Sequence, residues 1–413
     1  MSVVGGKNER ENGHLYEPGV HAQQLREVIE KFVLGMSYNG LKFGYLWSIG
    51  VVPADSDARG FGKSALMQHL ARQVNKDFGV WAYREMGLDE EDATEVPVCC
   101  LVTSFDTAKV RSLGAALFTA VEYAVTYSPD GVEQPLAERL RDRLIERVGS
   151  DDLSDLVAAV TDEHRSIRGR TLGPPEDKLV VALCEEGWKP AAEHLRLVTP
   201  TSRSRNGASY MATFLLFAAA AGLEHVLVFC DQLEDLASTT TVKAKRNLEV
   251  EKFRDVLVET LPMADMVTLV TTMHPRSSLA LGTAWALADL PPFELTEANR
   301  LSTVKLPALR DATQAAQLLR PYLAAARKDG AARKGDEMFP FTPDAIACLF
   351  DRSTRKPRDV LRKAHTVISA AAAANLPRIG TSDVQRFLES SVPHQPRQSH
   401  LATVADSIDW HDA

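Results

Sequence analysis

Short apolar runs alternate with segments of helical periodicity along most of this chain. Runs of this kind, bounded by polar or turn-forming residues, are typical of buried strands. They fall at residues 44–52, 96–105, 225–230, 266–275 and 302–309. Because helical segments separate the predicted strands, the pattern predicts an α/β fold with a mainly parallel sheet.

Helical periodicity dominates between the second and third predicted strands. Residues 107–205 predict several helices joined by polar loops, and residues 208–221 predict one apolar helix that Gly222 ends. Further helices are predicted over residues 21–34 and 246–261. Section 107–205 is therefore expected to be a helical insertion between two strands of the sheet.

The remainder of the chain is predicted to be helical only. The helices fall at residues 311–328, 341–353, 356–375 and 381–390. Thr342 is the predicted N-cap of the second of them. The expected organisation is a flexible tail at 1–18, an α/β nucleotide-binding domain at 19–309 that contains the insertion, a helical lid domain at 310–390 and an irregular tail at 391–413.

Composition narrows the class of protein. The 413 residues are 45% hydrophobic and 25% charged, and the net charge of -8 argues against a wholly basic nucleic-acid binder. None of the five cysteines forms a C-x-x-C pair, which favours reduced core cysteines over metal ligands. The N-terminus lacks an apolar signal core, and the longest apolar run, Met211–Leu223, is too short to span a bilayer. We therefore expect a cytoplasmic protein without a membrane partner.

The stretch DARGFGKSALMQHL, residues 57–70, carries the pattern of a phosphate-binding loop. Glycines let backbone N–H groups approach phosphate oxygens, a lysine neutralises their charge, and a hydroxyl, here that of Ser64, holds Mg²⁺. A glycine-rich surface turn is the alternative, and Asp57 stands in the place of the outer glycine. The predicted nucleotide contacts are Gly60, Phe61, Gly62, Lys63, Ser64 and Ala65.

A second acidic element lies at the end of the third predicted strand. Asp231 follows an apolar run, where an acid can hold Mg²⁺, although an exposed acid at a strand end is the alternative. Gln232 comes next, and Glu234 lies two residues beyond it. A glutamine can orient an attacking water, whereas Glu234 is a candidate catalytic base unless it only caps the next helix.

Further polar positions are candidates for sensing or completing hydrolysis. Thr272, in the fourth predicted strand, would lie beside the γ-phosphate, although a β-branched residue also simply suits a strand. Arg358, at the start of a helix, could fold over the phosphates or belong to a solvated basic face. Arg300 is a candidate arginine finger for a neighbouring subunit, with Arg276 as its competitor. Either arginine could instead be an exposed surface residue.

Together these elements resemble the AAA+ ATPases, closest to the replication-initiator and origin-recognition branch, and they are similar to the STAND-type ATPases. The resemblance spans about residues 20–390. The residues that carry it are GFGKS (60–64), LVFCDQLEDL (227–236), LVTTMHP (269–275), NRLSTVKLPAL (299–309) and FTPDAIACLFDRSTRKPRDVLRKA (341–364).

The resemblance implies a P-loop NTPase fold with a five-stranded sheet in the order 5-1-4-3-2 and a C-terminal helical lid. It also implies ATP and Mg²⁺ as cofactors, and assembly into rings or filaments. By motif position it gives phosphate and Mg²⁺ binding to Lys63 and Ser64, and Mg²⁺ binding to Asp231. Thr272 takes the position of the first sensor, and Arg358 that of the second.

Three departures from the family pattern concern hydrolysis and the lid. Asp57 replaces the outer glycine, Gln232 replaces the usual glutamate, and STRKPR (353–358) replaces a glycine-containing turn. The first two put the rate of hydrolysis in question more than nucleotide binding. Only 23 residues follow the lid, too few for a winged-helix DNA-binding domain, so an origin-binding initiator that acts alone is not expected.

Three functions therefore stay open. The first is an ATP-hydrolysing AAA+ switch or motor that assembles with itself or with partners, in a DNA-processing or phage-defence complex. The second is a nucleotide-binding scaffold without hydrolysis, and the third is a small-molecule phosphotransferase, against which the helical lid argues. DNA is a candidate partner because basic segments at 201–206, 242–247 and 326–334 could contact phosphates, with solvated loops as the alternative.

Overall fold

The computed structural model describes residues 15–34, 42–48, 60–105, 112–127, 134–166, 176–233, 243–260, 266–272, 275–290, 303–326 and 337–390. Most of the predicted N-terminal tail and the whole predicted C-terminal tail lie outside the described residues.

A five-stranded sheet organises the α/β part of the chain. The strands are β1 (Lys42–Ser48), β2 (Val98–Ser104), β3 (His225–Asp231), β4 (Val267–Thr272) and β5 (Thr303–Leu306). Their order is β2-β3-β4-β1-β5, and β2 with β3, β3 with β4 and β4 with β1 pair in parallel. The predicted fold class, an α/β fold with a parallel sheet and C-terminal helices, is confirmed. The strand order is the one that the resemblance to the AAA+ ATPases implied.

The strand register brings polar residues to one edge of the sheet. Ser104 on β2 pairs with Asp231 on β3, and Cys230 on β3 pairs with Thr271 on β4. Because the pairs are parallel, the carboxyl ends of these strands meet at the same edge. Ligands of open α/β sheets bind outside this edge, so the register places Asp231 where chemistry is expected.

The helices account for most of the remaining described residues. They are α1 (Ala22–Val28), α2 (Lys63–Asp77), α3 (Val80–Met86), α4 (Glu90–Glu95), α5 (Leu113–Thr126), α6 (Leu136–Val148), α7 (Leu153–Ser166), α8 (Asp177–Cys184), α9 (Lys189–Leu197), α10 (Pro200–Ala220), α11 (Lys243–Thr260), α12 (Pro275–Leu287), α13 (Ala312–Ala326), α14 (Pro343–Asp351), α15 (Pro357–Ala373) and α16 (Thr381–Ser390). A 3₁₀-helix, Pro18–His21, precedes α1, and a π-helical turn, Ile29–Val33, follows it. The four predicted C-terminal helices are confirmed, as is the Thr342 N-cap, whose hydroxyl accepts from the Ala345 N–H.

Some helices differ from the prediction. The predicted start of α10 at residue 208 is wrong, because the helix begins at Pro200. The Thr199 hydroxyl caps this earlier start by accepting a hydrogen bond from the Ser202 N–H at 3.2 Å, and proline suits a first helical position. The apolar pattern does not predict α3, α4 or α12.

The basic segment 201–206 forms the first turns of α10, so the alternative of a loop does not apply there, and its contact with phosphates stays a prediction. Arg203 Nε donates to the carbonyl oxygen of Val198 at 3.0 Å, and Arg203 Nη1 pairs with Glu122 Oε1 at 3.0 Å. The guanidinium also lies 4.7 Å from the centre of the Phe118 ring. Arg203 therefore links α10 to α5 through its contacts with Glu122 and Phe118.

The chain separates into two compact units. The first comprises Met1–Leu25, Ser48–His69 and Lys305–Ala413, and the second comprises Arg26–Trp47 and Leu70–Val304. The first unit has its own apolar core, which includes Leu309, Leu318, Ile346, Leu349, Val360 and Val367. The domain boundaries expected from the sequence stay a prediction.

The second unit contains most of the sheet and the helical section, with α5 and α10 in very close contact. A Cβ atom built on Gly207 of α10 would overlap the carbonyl oxygen of Gly114 on α5. Only glycine permits this approach of two backbones. Around it the aromatic rings of Phe118, Tyr210 and Phe214 are buried in a continuous core. In the part of the chain that the structure describes, no helix has the length and apolar character needed to cross a membrane.

Candidate functional site

The predicted phosphate-binding loop lies in the first unit, and its glycines adopt a backbone that other residues rarely adopt. Gly60 and Gly62 have φ angles of 89° and 92°, in the left-handed region that L side chains rarely adopt. The carbonyl oxygen of Gly62 accepts a hydrogen bond from the Leu66 N–H at 2.9 Å, so α2 begins directly after the loop. The loop therefore turns straight into the positive end of a helix, where anions bind.

The first turn of α2 supplies groups suited to phosphate. The N–H groups of Lys63, Ser64 and Ala65 lie in the first turn of α2, at the end of the helix where N–H groups point outward. Lys63 adds a positive charge and Ser64 a hydroxyl at the same helix end. These residues and the glycines before them are the predicted nucleotide contacts, and the structure brings them together on one turn.

Phe61 anchors the loop between its two glycines. Its side chain is buried, at 2% exposure, and Lys356 Nζ lies 5.6 Å from the centre of its ring. A cation over an aromatic face is attracted by the ring quadrupole. Lys356 directly precedes α15, so this contact joins the loop to the start of the lid helix. Phe61 thus acts as an anchor of the loop, and its predicted role as a nucleotide contact stays a prediction.

Arg358, the predicted sensor, meets the loop through its backbone. Its N–H donates to the carbonyl oxygen of Gly60 at 3.0 Å. A Cβ atom built on Gly60 would lie 2.7 Å from the Cβ of Arg358, which is closer than real atoms approach. The missing side chain at Gly60 is therefore what lets α15 begin against the phosphate loop.

The turn before α15 keeps a glycine-like conformation without glycine. Arg355 has a φ angle of 61°. Its N–H donates to Ser353 Oγ at 3.0 Å, its carbonyl oxygen accepts from the Leu309 N–H at 2.8 Å, and its guanidinium lies 5.3 Å from the Phe350 ring. The segment STRKPR (353–358) therefore contains a left-handed residue that is not glycine.

A buried carboxylate holds the same turn. Asp359 Oδ2 accepts from the Thr354 N–H at 2.8 Å and from Lys363 Nζ at 3.1 Å, and Asp359 Oδ1 accepts from Arg362 at 2.8 Å. Burial alone would raise the pKa of Asp359, but these bonds outweigh burial and hold the pKa below its usual value. Asp359 thus fixes the turn from which Arg358 projects.

His21 also lies beside the loop, and no sequence pattern singles it out. Its Cε1 atom is 3.5 Å from the position that a Cβ on Gly62 would occupy. Its Nε2 atom is 3.4 Å from the carbonyl oxygen of Pro307. Burial lowers the pKa of His21 to about 4, so its ring is neutral at neutral pH.

The second cluster of predicted residues lies in the second unit. The Thr272 hydroxyl donates to Asp231 Oδ1. The Gln232 N–H donates to the same carboxylate oxygen at 3.0 Å and to the Thr272 hydroxyl oxygen at 3.1 Å. The structure therefore joins the predicted Mg²⁺ ligand, the predicted first sensor and the glutamine in one hydrogen-bonded group.

The backbone after Asp231 turns sharply. Gln232 has a φ angle of 58°, and the Leu233 N–H donates to the Thr272 carbonyl oxygen at 2.9 Å. Strained backbone of this kind concentrates at functional sites. The turn fixes where the Gln232 side chain leaves the edge of the sheet.

Several predicted residues cannot be placed. Asp57, Glu234 and Arg300 lie outside the described residues, and Arg276 is placed only as part of the α12 backbone. Their roles stay predictions.

The residues present suit a nucleotide with its metal. The backbone of the loop suits phosphates, since Gly60 and Gly62 have left-handed φ angles and the loop leads directly into the N-terminus of α2. Among the described residues no group of three or more histidines, cysteines and carboxylates could hold a metal alone. Mg²⁺ in nucleotide sites needs fewer protein ligands than such a cluster supplies. It binds one or two protein groups and takes its other ligands from phosphate and water.

Comparison with known proteins gives distant structural matches. No protein-family model and no curated protein matches the chain. The structure of the Aeropyrum pernix ORC2 protein in its ADPNP–ADP complexes is similar at 12% identity and a TM-score of 0.41, over 91% of this chain and 68% of that one. The ADP form of the same protein is similar at 11% identity and a TM-score of 0.43, over 90% and 68%. Because the identities and TM-scores are this low, the function of this chain has to be argued from its own residues.

Proposed function

We propose that this chain binds ATP on the loop Gly60–Ala65 and acts as an AAA+ switch or motor subunit. The observation that carries the proposal is the left-handed backbone of Gly60 and Gly62 leading into α2, with Lys63 and Ser64 in its first turn. This combination of strand, glycine loop, lysine and hydroxyl matches what phosphate binding requires.

Each residue takes the role that its chemistry suits. The amides of the first turn and Lys63 bind the phosphates, and Ser64 and Asp231 are the proposed ligands of Mg²⁺. Bound Mg²⁺ would neutralise charge on the phosphates. Arg358 is the proposed sensor of the lid, since its own backbone is bonded to the loop.

Hydrolysis requires a group that orients water, and two candidates stay open. Gln232 would orient it without taking its proton, and Glu234 would act as a base. Thr272 is the proposed first sensor, and Arg300, with Arg276 as the competitor, is the proposed finger toward a neighbouring subunit.

A second function, nucleotide binding without hydrolysis, is favoured by the bonding of Asp231. Its Oδ1 atom already accepts from the Thr272 hydroxyl and from the Gln232 N–H. The residue that follows it is a glutamine rather than an acid. A scaffold that binds ATP without rapid turnover needs no acidic residue after Asp231 to activate water.

Partners follow from the proposed class. We propose assembly with copies of itself or with other proteins, with DNA as a further candidate, in a DNA-processing or phage-defence complex in the cytoplasm. Transfer of phosphate to a small molecule is the least supported alternative, because the loop is bonded to a helical lid.

Binding and turnover of ATP test the proposal. Lys63→Ala should weaken ATP binding at least tenfold, measured by calorimetry, because it removes the cation at the phosphates. Lys76→Ala, at the other end of α2, is the matched control and should bind like wild type. Absence of ATP binding by the wild-type chain would overturn the proposal.

Turnover separates the two functions. Phosphate release that Asp231→Ala abolishes would identify a hydrolysing switch. Tight ATP binding with background phosphate release, in the presence and absence of DNA, would identify the scaffold.

A further inference from the structure

A buried histidine lies against the predicted phosphate-binding loop, and one of its ring nitrogens has no hydrogen-bond partner among the described residues. His21 is 3% exposed, and both it and the loop belong to the first unit. Its Cε1 and Nδ1 atoms lie 3.5 Å and 4.0 Å from the position of a Cβ on Gly62. Nδ1 therefore faces the last glycine of the loop across an ordinary contact distance.

The contacts of the ring define its tautomer. Nε2 lies 3.4 Å from the carbonyl oxygen of Pro307. A carbonyl oxygen can only accept a hydrogen bond, so Nε2 carries the ring hydrogen and Nδ1 carries a lone pair. The lowered pKa of His21 agrees with a neutral ring.

Nδ1 is thus an acceptor that needs a donor. It is buried and has no hydrogen-bond partner among the described residues. A buried acceptor without a donor is destabilising, and native proteins rarely leave one unexplained. A phosphate group cannot serve as the partner, because its ionised oxygens are acceptors too. Within a bound nucleotide, the donors lie in the nucleoside part.

We infer that His21 Nδ1 accepts a hydrogen bond from the nucleoside part of the nucleotide bound at Gly60–Ala65. This inference rests on the proposed function, and it makes His21 a residue that determines nucleotide specificity. A nucleoside offers two kinds of donor, the ribose hydroxyls and the amino group of the base. Both present the same chemistry to Nδ1, so ligands that lack one donor at a time distinguish them.

Calorimetric binding of four diphosphates to the full chain tests the inference. The ligands are ADP, inosine diphosphate, which lacks the amino group, and the 2′-deoxy and 3′-deoxy forms of ADP. We expect one analogue to bind the wild type about five- to tenfold more weakly than ADP, the usual effect of one lost hydrogen bond. His21→Phe should bind ADP more weakly by a similar factor and should no longer distinguish ADP from that analogue, because the two changes remove the same bond.

Two further variants secure the interpretation. His21→Leu removes both ring nitrogens with a side chain smaller than phenylalanine, so it carries the test if His21→Phe fails to fold. His365→Phe, on α15 beyond Arg358, is the matched control and should distinguish the analogues as wild type does.

The remaining outcomes separate failure of the inference about His21 from failure of the proposed function. Equal affinity of the wild type for all four ligands, or unchanged discrimination in the folded His21 variants, would overturn the inference. No binding of ADP or ATP by the wild type would overturn the proposed function instead.

Discussion

The backbone N–H of Arg358 donates a hydrogen bond to the carbonyl oxygen of Gly60 at 3.0 Å. The lid helix α15 therefore starts on the phosphate-binding loop, through a bond that involves no side chain. Under the proposed function, a shift of the loop on nucleotide binding would have to move, or break from, the first turn of α15. This contact would then couple the nucleotide state to the helix.

Gly60→Ala should disturb both the loop and the lid. The left-handed φ of 89° costs alanine about 1–2 kcal/mol, and the new Cβ would lie 2.7 Å from the Cβ of Arg358. We expect a lower melting temperature and an affinity for ADP reduced by roughly tenfold or more. Thermal unfolding and calorimetry measure the two effects.

Gly87→Ala is the matched control for this clash. Gly87 has a φ of 71°, yet a Cβ placed there would meet nothing within 4 Å. Its variant should share the backbone strain but bind ADP normally. Equal loss of stability in both variants, with unchanged ADP affinity, would contradict a role for Gly60 in docking the lid.

Arg355→Gly should be more stable than Arg355→Ala. Both variants lose the contact between the guanidinium and the Phe350 ring, but only glycine adopts the φ of 61° without strain. The expected difference in the free energy of unfolding is about 1 kcal/mol, measured by denaturant titration. Equal stability of the two variants would show that the turn relaxes and bears no strain.

Features that depend on neighbouring residues in sequence could be predicted from the sequence. Apolar runs marked the strands, and Gly60 and Gly62 marked the turn before α2, because strand burial and left-handed backbone both leave a local pattern. The Thr342 cap likewise requires only a hydroxyl before a helix.

Features that depend on distant contacts could not be predicted. The bond between Thr272 and Asp231 joins residues 41 positions apart, and the contact of His21 with the loop depends on how the first unit packs. The early start of α10 also escaped the apolar pattern, because Arg203 is held there by Glu122 of another helix. Polar residues with tertiary partners resemble exposed ones in sequence.

Thr272→Val should destabilise the chain, whereas Thr271→Val should not. The Thr272 hydroxyl donates to the Asp231 side chain, so its removal leaves a buried acceptor with one donor fewer and should cost about 1–3 kcal/mol. The Thr271 hydroxyl is buried and has no hydrogen-bond partner among the described residues. Replacing it with a methyl group should be neutral or stabilising.

Urea unfolding of the two threonine variants measures the comparison directly. They share one strand and one substitution, so side-chain volume and β-propensity largely cancel. Thr272→Ser, which keeps the hydroxyl, should recover most of the loss. Equal effects of the two valine variants would show that the bond to Asp231 contributes nothing to stability.

His21 should make the stability of the chain depend on pH between about 6.5 and 4. Its pKa is lowered from 6.5 to about 4 by burial, so in this interval the unfolded chain binds a proton that the folded chain does not. Stability contributed by the neutral ring is therefore present above pH 6.5 and is lost as the pH falls toward 4. Between pH 7 and pH 5, wild type should lose about 2 kcal/mol more than His21→Phe, which has no proton to bind there.

Denaturant titrations at both pH values measure this difference, and His365→Phe, which retains His21, should lose as much as wild type. Parallel losses in wild type and His21→Phe would contradict a buried neutral imidazole beside the loop.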